Sequence, residues 1–537
     1  MLRPISLPQV SRGALLIPRL FFTLLLLLGL LLHRDYGMSW DEVNNHLNGL
    51  VSLNQVAQQL APDFAQKAAA SHSPIPDIRA YPDSDHGPVF EMVVAGLGYL
   101  LTDGDARPLY FLRHLLVFCT FVLGVWGLYY IGRWRFQDWR WGLMASGLLV
   151  VSPRFFAEAF YNGKDIVFMS LFTLAVAGLL WLRQQPSLWR VLVLSMLTAL
   201  ATDIRVQGLL VAVPTLAVLL SLSGEVYPLS RRAYLVLTYL ITTLAVAILG
   251  WPYLWATPLP DLWAAFHRLG SYPWSGTCLY FGKLIADTQL PWHYLPVWIL
   301  LTTPVAYPLL ALLGLSNGIT RLFRSRGAYL RTLAAKADTW FALWLLGPVL
   351  VVILTQAVVY DGWRHVYFIY PALLLFAVQG IRHLWQLATS WRPARWLAAA
   401  CLLAALLEMS LTVFRMVRMH PFQQVYFSFL PAPLAEQLFE RDYWGLAFRP
   451  GLEWLLAHDA SPHLTIQMAG KHEPLYNNSL LLPPSERARI QYQPNAQARY
   501  FMTGYRWHPQ TYQDSVGREV YSLRANGIKI LSIFQRY

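Results

Sequence analysis

Charge is scarce in this sequence: Asp, Glu, Lys and Arg make up 13% of its 537 residues, whereas 56% are hydrophobic. A single soluble core could not hide that much apolar surface, so a soluble globular enzyme is excluded and a bilayer is the expected solvent. Cysteine is scarcer still. Cys119, Cys278 and Cys401 lie far apart, two of them inside apolar runs, which excludes a disulfide framework and a thiolate metal site. The Walker A loop, HExxH, Gly-x-Ser-x-Gly and a strand-borne GxGxxG are all missing, so nucleotide-driven chemistry has no visible place. Heptads, solenoid periods and low-complexity tracts are missing too.

What is present is a series of apolar runs. The first, 15–32, has no small-residue cleavage site and is expected to stay as a membrane helix. Further spans are expected near 109–132, 141–157, 166–182, 188–202, 207–222, 233–251, 294–315, 340–358, 366–385 and 396–413, about eleven in all. Many of the 22 Trp and 28 Tyr residues stand at the ends of these runs, as in an interfacial belt. The formal charge of +13 would suggest nucleic acid in a soluble domain. Here the arginines cluster in loops instead: Arg133/Arg135/Arg140, Arg183/Arg190, Arg231/Arg232, the run from Arg321 to Lys336, and Arg382/Arg392/Arg395. All fall on one side of the expected spans, which makes that side and the N-terminus cytoplasmic and leaves no reason to expect a nucleic-acid partner.

Two units follow from this layout. Residues 1–413 form a polytopic α-helical membrane domain, whose first outer loop, 34–108, carries an interfacial helix over 89–101. Residues 414–537 are expected to form a small extracytoplasmic α/β domain. It has a helix over 451–458, strands over 464–468 and 499–503, and a hairpin over 520–534 turning at Asn526-Gly527.

Ionisable residues recur at the outer ends of successive spans, where charge is costly unless it meets a cavity or a substrate. Asp41-Glu42 follows the first span. An adjacent carboxylate pair suits a general base, yet Ser39 with two acids in a first helical turn also reads as a plain helix start. Asp85-His86-Gly87-Pro88 precedes the interfacial helix, and capping explains Asp85 and Pro88 but not His86. Lys164-Asp165 reads as a surface ion pair or as a phosphate contact beside an acidic contact to a hydroxyl or metal. Asp203-Ile204-Arg205 and Asp361-Gly362-Trp363-Arg364-His365 occupy short outer turns, where an arginine either snorkels from a helix end or grips a phosphate. Together these residues fit a displacement in which a hydroxyl loses its proton and a phosphate departs. That is the chemistry of a polyprenyl-phosphate sugar, whose tail stays in the bilayer and whose phosphate sits at the interface.

The sequence also resembles the GT-C membrane glycosyltransferases, in the branch that holds protein O-mannosyltransferases and lipid A aminoarabinose transferases. The likeness runs over about residues 10–385. It is carried by Asp41-Glu42, by His86-Gly87-Pro88-Val89, by Arg113, and by Ser152-Pro153-Arg154 leading to Lys164-Asp165. Thr202-Asp203-Ile204-Arg205 and Arg364-His365 running into Tyr370-Pro371 complete it. Gly87 departs from the pattern, which often has proline there. His420-Pro421-Phe422-Gln423 and Asp442-Tyr443-Trp444-Gly445 in the tail look like segments of bacterial relatives.

The resemblance implies a GT-C-like fold and an inverting transfer at the periplasmic face of a bacterial inner membrane. The donor would be a polyprenyl-phosphate-linked sugar and the acceptor a hydroxyl of a lipid, glycan or protein. Asp41, Glu42 and Asp165 become the catalytic candidates, with Asp41 as the base. Lys164, Arg205, Arg364 and His365 become donor-phosphate contacts, and His86 and Asp85 mark an acceptor or metal region. No nucleotide is required, and a divalent cation stays open: Asp41, Glu42, Asp165 and His86 offer ligand atoms, but their spacing is no metal signature. A secondary transporter or lipid-linked sugar flippase is the alternative; it predicts charges at the bilayer midplane rather than at span ends.

Overall fold

The computed structural model describes residues 12–63, 65–66, 75–268, 276–390, 393–468, 473–494, 497–506, 508–512 and 514–536. Among these, seven helices are long and apolar enough to cross a membrane: Leu15–Leu32, Ala106–Phe136, Asp165–Gln184, Leu229–Gly250, Leu333–Thr355, Arg364–Ala388 and Arg395–Met419. Two bent pairs raise the number to nine if each is one span. The protein is thus a multi-pass α-helical membrane protein.

The spans expected at 141–157 and 294–315 fall on the two bent pairs. Trp139–Val150 meets Pro153–Tyr161 at 72°, and Tyr294–Thr302 meets Ala306–Arg324 at 116°. The first break has a local cause: Ser152 is extended, and Pro153 opens the next helix without an amide to continue the ladder. The expected spans at 188–202 and 207–222 are shorter helices, Leu188–Thr202 and Val206–Leu220.

Asp165–Gln184 and Arg364–Ala388 lie at the centre, 78% and 94% buried over their apolar windows, whereas Arg395–Met419, at 11%, lies at the periphery. Small residues bring the central helices close. A side chain at Gly314 would run into the Phe376 carbonyl, and one at Gly380 into that of Leu310, so Ala306–Arg324 and Tyr370–Ala388 touch backbone to backbone. In the first loop, Asp41–Leu60 packs on Val89–Leu101, with Gly49 seated against Glu91.

Beyond Met419 the chain builds a five-stranded sheet in the order Ile490–Tyr492, Leu464–Met468, Tyr500–Gly504, Ile528–Gln535, Arg518–Ala525. The first three strands are parallel and the last two close an antiparallel hairpin. Asn526 and Gly527 both take positive φ, 50° and 84°, as a two-residue hairpin turn requires. Helix Phe448–His458 covers the sheet; Gly451 meets Leu531 and Met502.

The sheet unit is tied to the membrane helices by polar contacts. Asn478 accepts from the Met38 amide at 2.9 Å and donates to the Met38 carbonyl at 3.1 Å. Arg449 donates to the carbonyl of Tyr36 at 2.9 Å, and the Tyr443 hydroxyl reaches Glu158 at 3.1 Å.

Candidate active site

Two turns that carry candidate residues meet at the end of the helix bundle that faces the sheet unit, and each is fixed by local chemistry. Asn162 accepts from the amides of Lys164, at 3.3 Å, and Asp165, at 2.8 Å, which starts the central helix and aims both side chains across the bundle end. The turn packs tightly, because a side chain at Gly163 would come within 2.5 Å of Arg113 and 3.2 Å of Glu91. Asp361 and Gly362 take left-handed backbone, φ 57° and 73°, and the Gly362 amide donates to Tyr294 at 3.0 Å. That turn presents Arg364 at the start of the second central helix.

Arg364 is the hub. Its Nη1 donates to Asp41 at 2.9 Å and lies 3.5 Å from Asp165, while its Nη2 lies 3.1 Å from Asp361. The rings of Tyr360 and Trp444 are each centred 4.9 Å from its guanidinium carbon. Asp165 also receives Arg205, through a charge-assisted hydrogen bond to its second oxygen, and Asn162 at 3.1 Å. Asp41 is the open member of this network, with 38% of its side chain exposed against 1% for Asp165.

Glu42 faces the other way. It is fully buried, accepts from the Ser39 amide at 2.6 Å, and lies 2.9 Å from His114 and 3.5 Å from Arg113. Half of a helix-start motif is therefore present, formed by Glu42, while Ser39 turns its hydroxyl to the Tyr161 carbonyl and Asp41 is left for Arg364.

Lys164 has no carboxylate within ion-pair distance among the described residues. Burial lowers its ammonium to about 8, the charge of Arg205 adding to the effect and Asp83, Asp41 and Asp165 opposing it. His86 stands beyond it, 3.2 Å from Asp85 and 4.0 Å from Asp83; burial and the Lys164 charge hold it below the usual histidine range. Asp85 in turn pairs with Arg268. Asp203 is buried against Gly87 and Gly250 with both carboxylate oxygens unpartnered among the described residues, and burial pushes its pKa far up.

A groove of about 2430 Å³ runs from the site toward the opposite end of the bundle. Phe172, Val176, Leu210, Val213, Trp340 and Trp344 give it an apolar wall, and Arg205 and His365 line its site end. Two buried nitrogens at this end, Nε of Arg205 and Nδ1 of His365, have no hydrogen-bond partner among the described residues; nor has Nε of Arg364 in the adjoining network. Buried polar groups normally find partners, so unpaired nitrogens at a groove end mark a place where an anion can be received.

Asp41, Asp165, Arg205 and Arg364 thus form one network, Lys164 and His365 border it, and His86 with Asp85 sits beyond Lys164. Glu42 lies behind. The carboxylates do not form a metal cradle, since no group of three or more His, Cys, Asp or Glu residues able to hold an ion occurs among the described residues. Sequence reasoning missed Arg506, which pairs with Asp361, and the Glu91–Arg113 pair under the 162–164 turn. Asp361 and Trp444 stood inside segments already noted, so proximity to Arg364 in the chain pointed at the first of them.

No protein-family model and no curated protein matches this chain. Among solved structures it is similar to ArnT from Cupriavidus metallidurans in the apo state, with 13% identity, a TM-score of 0.49, and 96% of this chain and 98% of that one covered. It is similar also to the same ArnT bound to undecaprenyl phosphate, with 13% identity, a TM-score of 0.48 and coverage of 96% and 97%. A third is the archaeal oligosaccharyltransferase AglB from Archaeoglobus fulgidus in complex with an inhibitory peptide and a dolichol-phosphate, with 11% identity, a TM-score of 0.45 and coverage of 91% and 70%.

Proposed function

We propose that this protein is an inverting glycosyltransferase that moves a sugar from a polyprenyl-phosphate donor to a hydroxyl acceptor at the periplasmic face of a bacterial inner membrane. The observation that carries the reading is the junction of an apolar groove with unpaired buried nitrogens of Arg205 and His365, next to Arg364, which pairs with the partly exposed carboxylate of Asp41. A long isoprenoid chain fits the groove wall, and its anionic headgroup would meet the nitrogens. The arginines support the orientation: Arg133, Arg183 and Arg321 stand in last helical turns away from the site, as cytoplasmic loops would.

In this mechanism the acceptor oxygen attacks the anomeric carbon from the face opposite the phosphate. Asp41 takes the hydroxyl proton as the new C–O bond forms. The old C–O bond breaks with its electron pair going to the phosphate oxygen, and Arg364, Arg205, Lys164 and His365 stabilise the charge that grows there. The products are an inverted glycoside and a free polyprenyl phosphate. Asp165 holds both arginines in place, and Glu42 anchors the helix that carries Asp41. Asp85 and His86 border the side from which the acceptor would approach.

The test is transfer by purified protein in lipid, with radiolabelled polyprenyl-phosphate sugars and a membrane extract as acceptor pool. Wild type is expected to move label, and Asp41→Asn to lose about 100-fold or more of that rate while still binding undecaprenyl phosphate. Full transfer by Asp41→Asn would remove Asp41 as the base. Net movement of an intact lipid-linked sugar across the bilayer, with no glycoside formed, would make the protein a transporter instead.

A further inference from the structure

The sheet unit reaches into the arginine network. Arg506, two residues past the end of strand Tyr500–Gly504, is 14% exposed at its side chain and forms an ion pair with one oxygen of Asp361. The other oxygen of Asp361 lies 3.1 Å from Nη2 of Arg364. One buried carboxylate therefore joins a guanidinium from the sheet unit to the guanidinium at the hub of the site. Arg506 is itself located by the Tyr443 carbonyl at 3.2 Å and by Glu440 at 3.9 Å. The next residue after Tyr443 is Trp444, whose ring covers Arg364 and whose carbonyl accepts from the Trp40 amide at 3.2 Å, beside Asp41.

Removing the Arg506 charge would leave Asp361 with Arg364 alone. The carboxylate would then draw the guanidinium toward itself and away from Asp41, and Glu440 would lose its counter-charge. We propose that Arg506 is a positioning residue: through Asp361 it sets the plane of the Arg364 guanidinium, so that the C-terminal sheet unit completes the phosphate site. This rests on the reading of that site given above.

The experiment compares affinities for undecaprenyl phosphate and for undecaprenol, in nanodiscs, for wild type, Arg506→Gln, Arg506→Lys, Asp361→Asn and the double variant. The ratio of the two affinities reads the phosphate site alone, because the groove contributes to both. Arg506→Gln is expected to lower the ratio about tenfold, Arg506→Lys to fall between it and wild type, and the double variant to be no worse than Asp361→Asn. An unchanged ratio in Arg506→Gln, or a double variant that loses the product of the single losses, overturns the positioning role. Should Arg506→Gln yield no folded protein, Arg506→Lys decides, and a wild-type ratio there overturns it equally. A wild type that shows no preference for the phosphate fells the functional reading and the inference with it.

Discussion

The lowered pKa of Lys164 gives the proposed donor site a pH dependence that can be worked out in advance. Lys164 sits in the turn before Asp165, outside the membrane spans, and burial brings its ammonium down to about 8. Burial disfavours the charged form, so the folded pKa lies below the unfolded one. From about pH 8 up to the ordinary lysine range the folded chain therefore binds fewer protons than the unfolded chain, and stability gains as pH rises through that window. Donor binding runs the other way, because a phosphate needs the ammonium. Above pH 8 the affinity should fall about tenfold per pH unit, until the higher pKa of the complex is reached. A charge-assisted hydrogen bond of about 1.5–3 kcal/mol sets the total loss at about 10- to 150-fold.

Equilibrium binding of undecaprenyl phosphate in nanodiscs between pH 7 and about pH 9.5 measures this, since the phosphate itself is fully ionised by then, its second pKa lying near 6. Lys164→Arg keeps a charge that does not titrate here and should give a flat profile. Lys164→Met should be weak and flat throughout. A wild-type profile without slope, or an Arg variant with the same slope as wild type, would refute a direct contact between Lys164 and the phosphate.

Three further outcomes follow from the same geometry. Arg364→Ala should weaken donor binding more than acceptor binding, which separate titrations of the two substrates in the transfer assay will show. Glu42→Gln removes a buried charge facing Arg113 and His114 and should cost about 3 kcal/mol of stability, visible in thermal unfolding, while folded protein keeps its affinity for undecaprenyl phosphate. Gly163→Ala places a carbon 2.5 Å from Arg113, so the 162–164 turn must shift; it should cost about 1–3 kcal/mol and lower phosphate affinity by displacing Lys164.

The membrane helices were legible because a bilayer demands long apolar runs, and the hairpin because Asn526-Gly527 accepts a backbone that few other pairs tolerate. The bends were half legible. Pro153 announces a break, but beside the 72° turn Phe155 stacks on Tyr370 at 4.0 Å, a partner more than two hundred residues away that no local pattern reveals. The same holds for Arg506: nothing local at position 506 tells of Asp361, and only the docking of the sheet unit joins them.

The Asp41-Glu42 pair is the instructive case, because the sequence gives two adjacent acids and the structure uses them in opposite directions. Neighbours on a helix point about 100° apart, so at most one can face the site. The helix phase decides which. Glu42 shares its face with Gly49, seven residues on and buried. The missing side chain there lets Gly49 close on Glu91, and that contact fixes Glu42 inward and Asp41 toward Arg364. The phase was thus written in the position of one glycine along Asp41–Leu60. An acidic pair read without that glycine could only be assigned as a pair.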